Sequence, residues 1–247
     1  MLTCTAFRLT TLLLLAMVPS FILAKEDDFD FEMSLEEEEE APDMGHGARN
    51  LRFRRNYRRK LKVTNLSVGQ PFSAFFVMEH DSSVQLYEFG DAASPALARL
   101  AEDGDPQPLV DLFDGANGVQ SARIHNTGAP YFGGNTTEIE VTINYRYRFV
   151  TIAAMAINTN DMFVALNGVR LYRYGVLYSD GLDAGSEENN ELCQSVPGPV
   201  CRDIDTRNRM SGNGEGFVHV HPGVHGIGNF SAAPYDWRNP VMRVDVW

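Results

Sequence analysis

Short runs of alternating apolar and polar residues dominate this chain. KLKVTNL sets Leu61 and Val63 on one face and its lysines on the other, and TEIEVTIN does the same with Ile139, Val141 and Ile143. A period of two predicts half-buried antiparallel strands. RFVTIAAMAI is almost continuously apolar and carries β-branched residues. It reads as a central strand covered on both faces, although its alanines also fit a helix. FSAFFVMEH, the VHV segment and the terminal VMRVDVW add further strands. One stretch reads as helical, SPALARLAEDGDPQPLVDLFD: Ser94 caps, Pro95 suits the first turn, and Gly104 and Pro106 stop the helix before a second short one. Many strands with short helical insertions in their connections predict an all-β fold, a β-sandwich. No internal repeat is visible, and residues 57–247 have the size of one domain with a single core.

The N-terminal region has a different composition. Arg8 precedes the apolar run LTTLLLLAMV, then come Pro19 and FILA ending at Ala24. This is the layout of a cleaved secretory signal over residues 1–24 rather than a membrane anchor, because the run is short and Pro19 breaks it. No later segment has the length and apolarity to cross a bilayer, so the mature chain is expected to be secreted and extracellular. Residues 25–43 then hold eleven carboxylates and one lysine, whereas residues 49–62 hold eight basic residues and no acid. The acidic run is too charged to build a core and reads as a disordered tail. The basic run either binds an anionic surface, folds back on the acidic tail, or is a solvated lead-in to the first strand. Within it, Arg52-Phe53-Arg54-Arg55 has the R-x-R-R form of a processing site, and cutting there would start the chain near Asn56 and release the acidic part of the 25–56 tail as a propeptide.

An oxidising destination changes the reading of the cysteines. Cys4 leaves with the signal, so Cys193 and Cys201 remain as an even pair around QSVPGPV and are expected to be bridged. Three N-x-S/T sequons, at Asn65, Asn135 and Asn229, fit a glycosylated secretory product. The net charge of -12 argues against nucleic acid as a partner. A G-x-S-x-G elbow, a phosphate-binding glycine loop and a free nucleophilic cysteine are all missing, which disfavours the common enzyme classes.

Two groups of residues carry candidate metal chemistry. Glu140, Asp161 and Asp183 each stand where a strand meets a loop, and loops at one end of a sandwich can gather the oxygen ligands that Ca²⁺ requires. His219, His221 and His225 lie within GEGFVHVHPGVHGIG; the first two share a strand face, a geometry suited to zinc, copper or iron, with Glu215 four residues ahead as a further donor. The same histidines can instead satisfy backbone groups among glycine turns.

The motifs TNDMFVALNG, LDAGSEENNELCQSVPGPVC, GEGFVHVHPGVHGIG and YDWRNPVMRVDV, with KVTNLSVGQPFS and LAEDGDPQPL before them, resemble the spondin domain in its stand-alone secreted form, from about Lys60 to the end. The resemblance implies a C2-like antiparallel β-sandwich that binds calcium near one end. It points to Glu140 in EIEV, Asp161 in NDMFV and Asp183 in LDAG as the metal carboxylates, with a carbonyl ligand near Ile157 or Asn158. Met162 and Leu182 depart from the family's usual aromatic residues. Two extra residues before Asp161 allow Glu138, on the same strand face, to replace Glu140. The function implied is a calcium-binding adhesion, matrix or surface-recognition module with an extracellular protein or glycan partner; the alternative is a secreted metalloenzyme built on the three histidines.

Overall fold

The computed structural model describes residues 56–171, 174–201 and 213–247, all of which fall in one unit, Met44–Trp247. The signal segment, the acidic run, residues 49–55 of the basic run and its R-x-R-R site lie outside the described residues.

Strands and helices are numbered here in chain order. The first sheet has four antiparallel strands, with β1 (Tyr57–Asn65) between β4 (Thr136–Ile143) and β10 (Met242–Val246), and β7 (Gly175–Ser179) beyond β10. The alternation read from the sequence is what pairs these strands. Leu61, Val63, Ile139, Val141, Val244 and Val246 all turn inward and are buried. On the outer face Lys60 stands opposite Glu140 and Lys62 opposite Glu138, so the register also sets unlike charges side by side.

The second sheet has six strands in the order β3 (Val119–His125), β2 (Phe75–His80), β5 (Phe149–Met155), β6 (Met162–Arg170), β8 (Leu182–Asp183) and β9 (His219–Val220), again all antiparallel. One face of it closes the sandwich through Phe75, Val77, Val150, Ile152, Val164 and Leu166. The opposite face is covered by α1 (Pro95–Asp103) and α2 (Gln107–Phe113), whose Leu97, Leu100 and Leu109 pack on Phe76, Met78, Ala153 and Phe163. Two covered faces explain the continuous apolar run of β5, which is a strand and not a helix. Ser94 Oγ accepts from the Leu97 N–H at 3.1 Å, and Gly104 ends α1 in the left-handed region at φ 67°. The fold is thus the all-β sandwich with short helical insertions that the sequence predicts. Among the described residues no helix is long and apolar enough to cross a membrane.

Cys193 and Cys201 are bridged, with Cα atoms 5.2 Å apart. Of the three sequons, Asn65 requires a correction. It is 2 % exposed, its Nδ2 donates to the carbonyls of Gln70 (2.7 Å) and Tyr131 (2.8 Å), and its Oδ1 accepts from Ser67. A glycan there would have to displace both donations and enter the core. Asn135 and Asn229 are exposed.

Candidate metal centre

The turn from β5 to β6 contains Asn158, Thr159, Asn160 and Asp161, and all four are buried. Polar residues survive there because each one makes hydrogen bonds, several of them to distant segments. Thr159 Oγ1 donates to the Ala156 carbonyl (2.6 Å) and accepts from the Met162 N–H (3.2 Å), which closes the turn. Asn158 Nδ2 donates to Gly69 O (2.8 Å), and Asn160 Oδ1 accepts from the Glu191 N–H (3.2 Å). At the end of this turn Asp161 is fully buried. Its Oδ2 accepts from the N–H groups of Ser186 (2.7 Å) and Glu187 (3.0 Å) and from Ser186 Oγ (3.2 Å). Oδ1 is buried with no hydrogen-bond partner.

Asp183 reaches the same end of the sheet on β8, where it pairs with Met162 on one side and His219 on the other. It too is fully buried; Oδ1 accepts from Gly185 N–H at 2.7 Å and Oδ2 from Asn189 Nδ2 at 2.6 Å. Gly185 is required to be glycine. It sits at φ 65°, and a Cβ would lie 2.4 Å from the Phe217 carbonyl oxygen of the neighbouring segment.

Burial, followed by the negative charge of Asp183, raises the pKa of Asp161, and burial raises that of Asp183. Glu187, 4 % exposed, is pushed up to about 8 by burial and then by the charges of Glu102, Asp161 and Asp103. Its Oε2 is a second buried oxygen without a hydrogen-bond partner. Among the described residues, the charges acting on these three carboxyls come from other carboxylates and, for Asp183, from His219. Desolvated carboxyl oxygens are the kind of donor that a hard divalent cation takes.

Glu140 is not part of this group. The inward residues of β4 are Ile139, Val141 and Ile143, so Glu140 projects from the outer face of the four-stranded sheet, where its carboxylate is 51 % exposed and lies 3.3 Å from Arg58. Glu138 is on the same outer face, 3.8 Å from Lys60. Asp161 and Asp183 therefore act on each other electrostatically at this end of the sheet, and Asp161 acts on Glu187, whereas the expected strand glutamate faces away. The sequence carried one hint of this, the acidic segment SEENNE directly after LDAG.

The histidines divide. His219 and His221 both stand beside Asp183, with Nε2 atoms 3.7 Å from Oδ1 and 3.8 Å from Oδ2 respectively. His225 is exposed, and its backbone N–H donates to Glu191. His221 is 6 % exposed, packs against Trp237 with ring centroids 5.0 Å apart, and is held neutral, its pKa pushed down to about 3 by burial.

Comparison with known proteins adds one result to this geometry. No curated protein matches the chain. The family model Spondin_N matches residues 51–182, more than half of the chain. That span runs from the region of β1 through the Asp161 turn and ends beside Asp183, so it takes in most strands of both sheets and the buried turn, and the chain belongs to the Spondin_N family, a family of extracellular-type domains.

Proposed function

We infer that this spondin domain is a secreted recognition or adhesion module whose loops are fixed by a calcium ion held at Asp161 and Glu187, with Asp183 adding its charge. The observation that carries the reading is Asp161 Oδ1, a carboxylate oxygen on a fully buried residue with no hydrogen-bond partner. Leaving such an atom unpaired costs several kcal/mol on the scale of about 1 to 3 or more for a charged group, and a cation removes that cost. The donors present fit calcium, because they are oxygens and the Asp161 carboxylate is already oriented by two backbone N–H groups on its Oδ2.

The link to recognition runs through the backbone. Gly90 N–H donates to Val218 O (2.9 Å) and Val218 N–H to Asp91 O (2.8 Å), which ties the loop holding exposed Phe89 to the segment leading into β9. Phe89, Tyr178, Tyr87 and Asn167 line one surface groove. Aromatic faces beside an amide suit a protein or glycan partner.

Thermal melts of purified protein with calcium and with chelator test the proposal. Ligand binding to the folded state adds RT ln(1 + [L]/Kd), about 2.7 kcal/mol at a hundredfold excess over Kd. Calcium should raise the melting temperature, and Asp161→Asn should lose most of that rise while staying folded. An unchanged calcium response in Asp161→Asn would overturn the assignment.

A further inference from the structure

We propose that Asp183, Glu215 and His219 form a second metal site, selective for a borderline divalent ion of the zinc class. Of these donors only Asp183 borders the calcium proposal. Glu215 and His219 lie beyond the residues matched by the family.

The geometry is convergent. One donor atom from each residue lies within 4.8 Å of the other two, and His219 Nε2 is 3.7 Å from both Asp183 Oδ1 and Glu215 Oε2. These separations are too long for hydrogen bonds. An ion about 2.0 to 2.1 Å from each donor in tetrahedral geometry sets the donors roughly 3.3 Å apart, so the two His219 separations need to close by only a few tenths of an ångström, and the two carboxylates, within 4.8 Å of each other, complete the site by a side-chain adjustment. The remaining oxygens are already held from behind: Asn189 Nδ2 donates to Asp183 Oδ2 (2.6 Å) and to Glu215 Oε1 (3.3 Å). One amide thus spans both carboxylates on the side away from His219, the outer support that metal-binding carboxylates use.

The ring nitrogens have separate duties. His219 Nδ1 lies 2.9 Å from the Val220 carbonyl, which can only accept, so Nδ1 keeps a proton and Nε2 is the nitrogen available to ligate, its lone pair exposed once a metal displaces any proton there. Nε2 is buried and has no hydrogen-bond partner. In His221 the arrangement is reversed. Its Nδ1 accepts from the Gly223 N–H at 3.0 Å, which leaves the proton on Nε2, facing Asp183 Oδ2. This side chain is 4 % exposed and Nε2 is likewise unpartnered. His221 is therefore a positioning residue that steers the Asp183 carboxylate, and His219 is the ligand. Two carboxylates and a neutral imidazole balance a divalent charge, and the mixed nitrogen and oxygen donors favour zinc or cobalt over calcium. Entry is from solvent, since the side chains of His219 and Glu215 are 24 % and 37 % exposed.

Cobalt(II) supplies the test, because nitrogen ligation at low coordination gives a visible absorption band. The purified full chain, stripped of metal and kept in excess calcium, should bind one cobalt ion with such a band, and zinc should abolish it. His219→Ala and Glu215→Gln should each weaken binding by tenfold or more; Glu215 is on the surface, so its variant keeps the fold. His221→Gln should weaken it less and alter the band, whereas His225→Ala and Asp161→Asn should leave it in place. Absence of cobalt and zinc binding in the wild type, or unchanged binding in both His219→Ala and Glu215→Gln, would overturn the site. Failure of the calcium proposal reads out separately, as calcium-independent melting of a protein that still binds cobalt through His219.

Discussion

Asn189 holds Asp183 from behind: its Nδ2 donates to Oδ2 across 2.6 Å, at a carboxylate that is completely buried. Hydrogen bonds to buried charged groups contribute about 1.5 to 3 kcal/mol. Asn189→Ala should lower stability by an amount in that range and weaken cobalt binding, on the order of ten- to a hundredfold, as loss of outer support at metal sites does. Chemical denaturation and cobalt titration of the variant measure both effects, and an unchanged cobalt affinity would remove Asn189 from the site.

Glu187 and Glu140 should respond oppositely to calcium. Glu187→Gln removes a buried carboxylate beside Asp161 and should reduce the calcium-dependent rise in melting temperature. Glu140→Gln removes an exposed partner of Arg58 and should leave that rise intact, at a cost of about 0 to 1 kcal/mol in stability. Melting curves of the two variants side by side decide between the strand glutamate and the loop glutamate.

His80 predicts a pH dependence away from the candidate metal centre. It is fully buried between the Asp81 carbonyl (2.7 Å from Nδ1) and Thr151 Oγ1 (2.9 Å from Nε2), and burial lowers its pKa below 6.5. The unfolded chain binds a proton at His80 below about pH 6.5 while the folded chain does not, so stability is retained above that pH and lost as pH falls towards the lowered value. His80→Gln should lose less stability than the wild type between pH 7 and pH 5 in calcium-containing buffer. Equal losses would show that His80 does not carry the effect.

Reducing the Cys193–Cys201 bridge should cost about 2 to 3 kcal/mol, the loop entropy returned to the unfolded chain. The bridged segment also caps the buried turn before Asp161, since Val200 N–H donates to Asn158 Oδ1 at 3.2 Å. Hydrogen exchange at residues 156–161 should therefore rise on reduction, and protection that stays unchanged would separate the disulfide from the turn.

Much of the fold was legible because it rests on local periodicity. The alternation in KLKVTNL and TEIEVTIN needed only the two-residue repeat of a strand, and Ser94, Pro95 and Gly104 marked α1 by their own backbone chemistry. Asp161 and Asp183 could be picked out by their family motifs, and the cysteine pair by counting. The partners of the two aspartates could not be read this way. Glu140 and Glu187 are both acids near a strand end, and only the sandwich core decides that Glu140 must face water because Ile139 and Val141 fill the interior beside it. In the same way HVHPGVHG displays three equivalent histidines, but the pairing of β9 with β8 turns His219 towards Asp183, and a glycine N–H fixes the proton on His221. The sequence by itself determined which residue types were available and which segments were strands. Tertiary structure alone decided which donors meet, because metal sites depend on distances between segments far apart in the chain, and those distances are set by strand pairing rather than by spacing.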